Sequence, residues 1–169
     1  MSKNRIYQYY VEGENEKKLI DVLKSEYRNI IAGKVEKLNL VEKKITCQKL
    51  MTLKKGTIII LVFDTDTEAS EILDENIRFL KSQKFIKEVI CITQVRNLED
   101  ELKRSCNIKQ IKELTGSKTN SEFKHDMQHI TNFKQKLDSA EFDLEKLWTC
   151  NAEDAFGHIL NEADKVKLK

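Results

Sequence analysis

The chain has 169 residues, of which 40% are hydrophobic and 34% are charged. This length suits one domain with a sizeable core, and the composition is typical of a globular protein. No apolar run approaches the roughly 18 residues of a membrane span, and the N-terminal MSKNRIYQYY lacks the apolar core of a signal peptide. We therefore expect a cytoplasmic protein without a membrane partner, while a net charge of +2 neither indicates nor excludes nucleic-acid binding.

The first part of the chain begins with a strand pattern and continues with a helix pattern. Residues 5–13, RIYQYYVEG, are rich in β-branched and aromatic residues and close on a glycine, which indicates a strand. From Glu14 onward apolar residues recur at intervals of three and four, which predicts an amphipathic helix with Gly33 as its stop. Residues 35–50 are ambiguous and could hold one or two short strands.

The same alternation continues through the middle of the chain. Residues 56–63, GTIIILVF, form a continuous apolar run, as expected for a strand buried on both faces of a parallel sheet. Residues 69–80 have helical spacing, and residues 88–95, EVICITQV, predict a third strand. This order predicts an α/β fold with a mainly parallel sheet flanked by helices.

After Asn97 the pattern predicts helices up to the end of the chain, with one apolar stripe running from Phe123 to Leu137. We find no linker, repeat or clear boundary between domains. The sequence therefore predicts a single domain over residues 1–169, with a sheet core to about residue 100 and a helical part over about 101–169.

Two groups of carboxylates follow predicted strands. Glu12 lies in VEGENE, and Asp64 and Asp66 lie in FDTDTE. Because the carboxyl ends of parallel strands meet at one edge of a sheet, we expect these side chains to converge on one crevice. Gathered carboxylates repel one another unless a cation neutralises them, and oxygen ligands suit Mg²⁺ or Mn²⁺. Such ions commonly serve phosphate chemistry, so the sequence predicts a metal site at this edge.

These segments resemble the two motifs of Toprim domains. YYVEGENEKKL is similar to the first motif, a strand that ends in Glu-Gly, and IIILVFDTDTE is similar to the second, a D-x-D at a strand end. The pair Glu12 and Glu16 most resembles the OLD-type Toprim nucleases and related small phage-defence proteins. The resemblance covers residues 5–100 and implies a Rossmann-like sheet with a divalent-metal site that cuts or joins phosphodiester bonds of DNA or RNA.

The resemblance also implies roles for individual residues. Glu12 would be a metal ligand or a general acid/base, and Asp64 and Asp66 would be metal ligands. Glu16 would be an indirect ligand or a ligand of a second metal, although the helix dipole alone also favours a glutamate in a first turn. Because OLD-type Toprim domains often work with an ATPase and this chain has no P-loop motif, a separate ATPase partner is implied.

A further acidic ligand is expected after the third strand, within VRNLEDEL. Glu99 lies nearest the strand end, and Asp100 and Glu101 are the alternatives. Three acidic residues at the start of a helix are also explained by the helix dipole.

A metal site of this kind does not itself supply the positive charge that holds a phosphate. The segment TGSKTNSEFKHDMQH offers Lys118 in a polar loop and Lys124 in the first turn of the helix that follows, with Ser121 as a candidate N-cap. We expect these two lysines to bind the phosphate, since a loop that leads into a helix also presents N–H groups. The alternative is that both are solvated surface lysines.

Two other functions compete with the nuclease. DTDTE also resembles the D-x-D motif of haloacid-dehalogenase-type phosphatases, but Glu68 replaces the usual Thr or Val and Glu12 has no role in that interpretation. The stronger alternative is a non-catalytic Toprim-like module that binds a metal, a nucleotide or a partner. The nuclease and the non-catalytic module differ in whether Glu12, Asp64 and Asp66 lie within reach of one cation.

Overall fold

A computed structural model describes residues 5–169 and contains one parallel sheet of four strands. Residues 1–4 lie outside the described part of the chain. The spatial order is β2–β1–β3–β4, with β1 Ile6–Val11, β2 Lys34–Lys37, β3 Thr57–Asp64 and β4 Ile86–Gln94. The predicted α/β fold with a parallel sheet is confirmed. The ambiguous residues 35–50 contain part of β2 and the short helix α2, Cys47–Leu50.

The first predicted helix begins where expected but ends early. Helix α1, Glu14–Val22, continues into a π-helical turn, Leu23–Tyr27, which Arg28 ends in the left-handed conformation with φ 56°. The prediction that Gly33 stops this helix was wrong. Gly33 instead lies against β1, where an added Cβ would be only 2.7 Å from the carbonyl oxygen of Tyr7.

The C-terminal part is less helical than predicted. Helix α3, Glu71–Ser82, lies between β3 and β4. The helices after β4 are short: α4 Leu98–Ser105, α5 Lys112–Thr115, α6 Phe123–His129 and α7 Phe133–Ser139. Beyond α7 the helical structure of the described chain is limited to 3₁₀ turns, at Leu144–Lys146, Asp154–Phe156 and Ala163–Lys165. Here polar groups bond to distant parts of the fold: Glu162 N–H donates to the Cys91 carbonyl at 2.8 Å, and Asn161 donates to Trp148 O at 2.8 Å. These bonds replace the helical hydrogen bonds that the apolar spacing predicted. No described helix is both long and apolar enough to span a membrane.

The two faces of the sheet are covered by different helices. Leu19 and Ile20 of α1 pack in one hydrophobic cluster, and Leu73 and Leu80 of α3 pack in a second. The chain passes from β1 through α1 to β2 on one side, and from β3 through α3 to β4 on the other. The direction of winding therefore reverses between β1 and β3. In sheets of this Rossmann-like kind, the crevice outside the carboxyl ends of the strands at that point is where ligands bind.

Glu101 of α4 holds three parts of the fold together. Its side chain is fully buried, and Oε1 accepts hydrogen bonds from Val95 N–H at 2.9 Å and from Arg104 at 2.7 Å. Its Oε2 accepts from Trp148 N–H at 2.9 Å. The carboxylate thus joins the segment after β4, the helix α4 and the C-terminal region, which makes Glu101 a structural residue rather than a free metal ligand.

We expect Glu101→Ala to lower the free energy of unfolding by roughly 3 kcal/mol, because it leaves two N–H groups without an acceptor and removes the carboxylate that pairs with Arg104. The guanidinium of Arg104 then keeps only its bond to Val95 O. Urea denaturation measures this loss. The control Asp100→Ala breaks the partly exposed ion pair with Lys103 and should cost less than about 1 kcal/mol. Equal losses in the two variants would contradict a structural role for Glu101.

Candidate functional site

The crevice between β1 and β3 contains Glu12 and Asp64. Glu12 directly follows β1, and Asp64 is the last residue of β3. The N–H of Asp64 donates to Glu12 Oε1 at 3.3 Å. On the other side, Gln94 at the end of β4 donates through Nε2 to Asp64 Oδ1 at 2.9 Å. The ends of three neighbouring strands therefore meet around the Asp64 carboxylate.

The carboxylates at this edge raise the pKa of one another. Burial, followed by repulsion from Glu12, Glu16, Asp66 and Glu99, raises the pKa of Asp64 to about 9. Burial also raises the pKa of Glu12 to about 7, with the Asp64 N–H opposing the rise and Glu16 and Asp66 adding to it. Without a cation, Asp64 therefore holds its proton at neutral pH.

Glu16 lies at the third position of α1 and turns back towards the start of that helix. Burial raises the pKa of Glu16, and the N–H groups of Glu16 and Gly13 oppose this rise. Gly13 leaves room for the carboxylate, because an added Cβ would lie 2.8 Å from Glu16 Oε2. The Glu16 carboxylate thus accepts hydrogen bonds from N–H groups at the start of the helix, which have no partner within the helix. Its charge also acts on Glu12 and Asp64.

The three acidic residues after β4 have different surroundings. Glu99 is the one whose charge acts on both Asp64 and Glu16. Asp100 pairs with Lys103 at 2.6 Å, and Glu101 is occupied in the core. Of the three, Glu99 is therefore the residue whose charge reaches the carboxylates of the crevice, and its role as a ligand stays a prediction.

Lys124 reaches the same group of carboxylates. Its Nζ lies 3.1 Å from Glu99 Oε1. Burial lowers the pKa of Lys124, but the bond to Glu99 and the charges of Asp64 and Glu16 raise it overall. The crevice thus contains a lysine ammonium from α6.

Lys118 lies apart from these carboxylates. Its side chain is exposed and makes no ion pair within the described residues, while its N–H donates to Glu122 Oε2 at 3.1 Å. The N-cap of α6 is Glu122, so the prediction of Ser121 as the N-cap was wrong. With only seven residues, α6 is also a short helix.

Thr65, the residue between the two aspartates, was not predicted to belong to the site, and neither were its partners Gln94 and Arg96 at and just beyond the end of β4. The N–H of Thr65 donates to the carbonyls of Arg96 at 2.9 Å and Gln94 at 3.2 Å, and its hydroxyl accepts from Arg96 N–H at 3.0 Å. Side chains at or just beyond the end of a parallel strand lie at the edge of the sheet where ligands bind. This rule predicted Glu12, and it applies equally to Gln94 and Arg96.

The carboxylates of the crevice have the right ligand atoms for a hard cation, but they are not arranged around one position. Glu12, Asp64 and Asp66 offer oxygen ligands of the kind that Mg²⁺ and Mn²⁺ prefer. Within residues 5–169, however, no group of three or more His, Cys, Asp or Glu side chains is arranged to hold a metal ion. The carboxylates lie near enough to repel one another, but they do not form an assembled coordination site.

Comparisons of this chain with protein-family models, with curated proteins and with solved structures give no match.

In EDTA we expect the free energy of unfolding to fall as the pH rises from about 5 to 9. The pKa values of Asp64, about 9, and Glu12, about 7, exceed those of the unfolded chain. The stabilisation from their protons is complete below the unfolded pKa and is lost as the pH passes through the folded values.

Asp64→Asn removes the larger of these two shifts. At pH 8 the variant should therefore exceed the wild type in unfolding free energy by at least about 1 kcal/mol, since one pKa unit corresponds to about 1.4 kcal/mol. Urea denaturation at several pH values measures the difference, with the exposed Glu71→Gln as a control that should follow the wild type. Parallel curves for the wild type and Asp64→Asn would contradict the mutual repulsion at this site.

Proposed function

We propose that this protein is a Toprim-like nuclease that hydrolyses phosphodiester bonds of DNA or RNA with Mg²⁺ or Mn²⁺ held by Glu12, Asp64 and Asp66. The observation that carries this proposal is the set of carboxylates at the reversal of the sheet, where burial and repulsion raise the pKa of Asp64 to about 9. A divalent cation is the charge that would offset this repulsion. The two Toprim-like motifs supply the carboxylates at this point.

Each residue near the crevice has a role in this proposal. When bound, the cation would lower the pKa of a coordinated water and offset charge on the phosphoryl oxygens. A pKa of about 7 suits Glu12 to proton transfer near neutral pH, which is its alternative role if it does not bind the cation. Glu16 and Glu99 add negative charge around the ion, and Lys124 offers the ammonium that would meet the substrate phosphate.

The likeness to OLD-type Toprim nucleases extends the proposal to a role in phage defence and to a separate ATPase partner. These 169 residues contain no P-loop motif, so an ATPase activity would have to come from outside them. We propose the cytoplasm as its location, where both partner and nucleic acid are available.

With Mg²⁺ or Mn²⁺ we expect the protein to cleave plasmid DNA, single-stranded DNA or RNA, and EDTA to stop the reaction. Asp64→Asn and Glu12→Gln should keep the fold and lower the rate about 100-fold or more, because each removes a carboxylate that would be ionised when it holds the cation. Gel assays measure the rate, circular dichroism checks the fold, and Glu71→Gln should cleave as the wild type does. Full activity in Asp64→Asn would exclude the proposed site.

Lys124→Gln should separate metal binding from cleavage. Because the ammonium lies against Glu99 and acts on Asp64 and Glu16, it competes with a cation for the same negative charge. We expect the variant to bind Mn²⁺ about five times more tightly, or by ~1 kcal/mol, while cleavage falls. Calorimetry measures the affinity, and Lys118→Gln is the matched control. Weaker Mn²⁺ binding in Lys124→Gln would show that the lysine does not compete.

One observation favours a second candidate, a non-catalytic module. The described carboxylates form no assembled group that could hold a metal ion, and a crevice of that kind could instead bind a partner or a nucleotide. A folded protein that binds a partner or a nucleotide but cleaves no substrate in the gel assay would favour this module. The phosphatase alternative has less support, because Glu68 stands where its motif has Thr or Val and because Glu12 has no role in it.

A further inference from the structure

A second feature at this edge is a pocket of about 590 Å³ beside the D-x-D loop, which we define as residues 64–66. Asp66 and Arg96 line it on the side of the sheet, and Asn151, Asp154 and Phe156 line it on the side of the C-terminal region. The volume falls within the range of small-molecule sites and could take one nucleotide. A larger groove beside α1, of about 730 Å³, is lined by Lys17, Lys18 and Asp21 and by neither aspartate of the loop.

The pocket and Lys124 lie on opposite sides of the carboxylates. Phe156 packs in the hydrophobic cluster that contains the core residues of α3. Phe123, the neighbour of Lys124, packs in the cluster on the other face, with the core residues of α1 and α4. A chain that crosses this edge of the sheet would pass from one to the other over Asp64 and Asp66.

Arg96, which lines this pocket, has a strained backbone. Its φ is 65°, a left-handed conformation that costs a non-glycine residue roughly 1–2 kcal/mol. The two bonds between Arg96 and Thr65 keep it there. Asp154 on the opposite wall is also left-handed, with φ 50°. Backbone strain of this kind concentrates at functional sites, where the surrounding structure maintains it.

The guanidinium of Arg96 is available to a ligand. The side chain is exposed and makes no ion pair or hydrogen bond with the residues that the structure describes. Its fork of donors matches the oxygens of a phosphate group. No other lysine or arginine in the described chain lines this pocket.

The other charged residues of the pocket are acidic, so a small anion without hydrogen-bond donors would bind poorly there. Four carboxylates share the pocket with Arg96, those of Asp66, Glu68, Glu153 and Asp154. Carboxylates accept hydrogen bonds and donate none, so they suit the amino groups of bases and the hydroxyls of sugars. A ligand that combines several donors with one phosphate group fits this lining, and a nucleotide has that composition.

We propose that this pocket binds one unpaired nucleotide of the substrate beside the scissile phosphate, with Arg96 on its phosphate group. The nucleotide must be unpaired, because a base enters a pocket only after it leaves the stack. The proposal rests on the proposed function in taking nucleic acid as the ligand. It adds that single strands are preferred over duplexes.

The test is the binding of fluorescent oligonucleotides by anisotropy, with Ca²⁺ in place of Mg²⁺ to prevent cleavage. RNA and DNA strands of one sequence distinguish the source of the nucleotide, and each is compared with its duplex. We expect the wild type to bind a single strand at least about five times more tightly than the duplex. We expect Arg96→Asn to weaken single-strand binding about tenfold, and Arg96→Lys to weaken it less.

Asparagine tolerates the left-handed conformation of residue 96, so the fold should survive the change. Arg78→Ala, at an exposed position of α3, is the control and should bind as the wild type does. Unchanged binding in Arg96→Asn, or equal affinity for duplex and single strand, would overturn the proposal. Loss of binding in Arg96→Asn, with no cleavage by the wild type in Mg²⁺ or Mn²⁺, would support the pocket and overturn the nuclease.

Discussion

The crevice depends on one constraint, which is that carboxylates are buried close together at one end of a parallel sheet. Asp64 is mostly buried among like charges, and its pKa near 9 expresses how unfavourable its ionised form is there. The fold reduces this cost in two ways, through the Gln94 hydrogen bond to Asp64 and the Lys124 ammonium beside Glu99. Neither removes the repulsion. Groups that destabilise a fold in this way are typical of functional sites.

The stability that offsets this cost comes from the centre of the sheet. Seven of the eight residues of β3 are buried, and the strand pairs with a neighbour on each side. Two polar anchors then fix the segments beyond the strands, Glu101 behind β4 and Thr65 between the two aspartates. Thr65 is uncharged, and Glu101 is not among the residues whose charge raises the pKa of Asp64 or Glu12, so these anchors can hold the geometry of the site without adding charge to it. A site on such rigid supports keeps its side chains in place.

The sequence predicted the parts of this arrangement that depend on local patterns. The apolar run of β3 identified the central strand, and the strand-end rule brought Glu12 and Asp64 together. Glu101 was also within reach of prediction, since it shares a helical face with the buried Leu98, Leu102 and Ser105. The pattern of α4 therefore assigns Glu101 to the core and leaves Glu99 to the crevice.

Other parts depend on contacts between distant residues, which no local pattern records. Residues 152–166 have apolar spacing that fits a helix, yet the bonds of Glu162 to Cys91 hold that region along β4.

Local charge also differs from the overall charge of the chain. A net charge of +2 suggests no particular partner, but the structure places Lys124 on one side of the carboxylates and Arg96 on the other. An anionic polymer responds to the positions of charges more than to their sum. With a cation on the carboxylates, the edge would carry positive charge at Lys124, at the cation and at Arg96, and a phosphodiester chain is attracted to each of them.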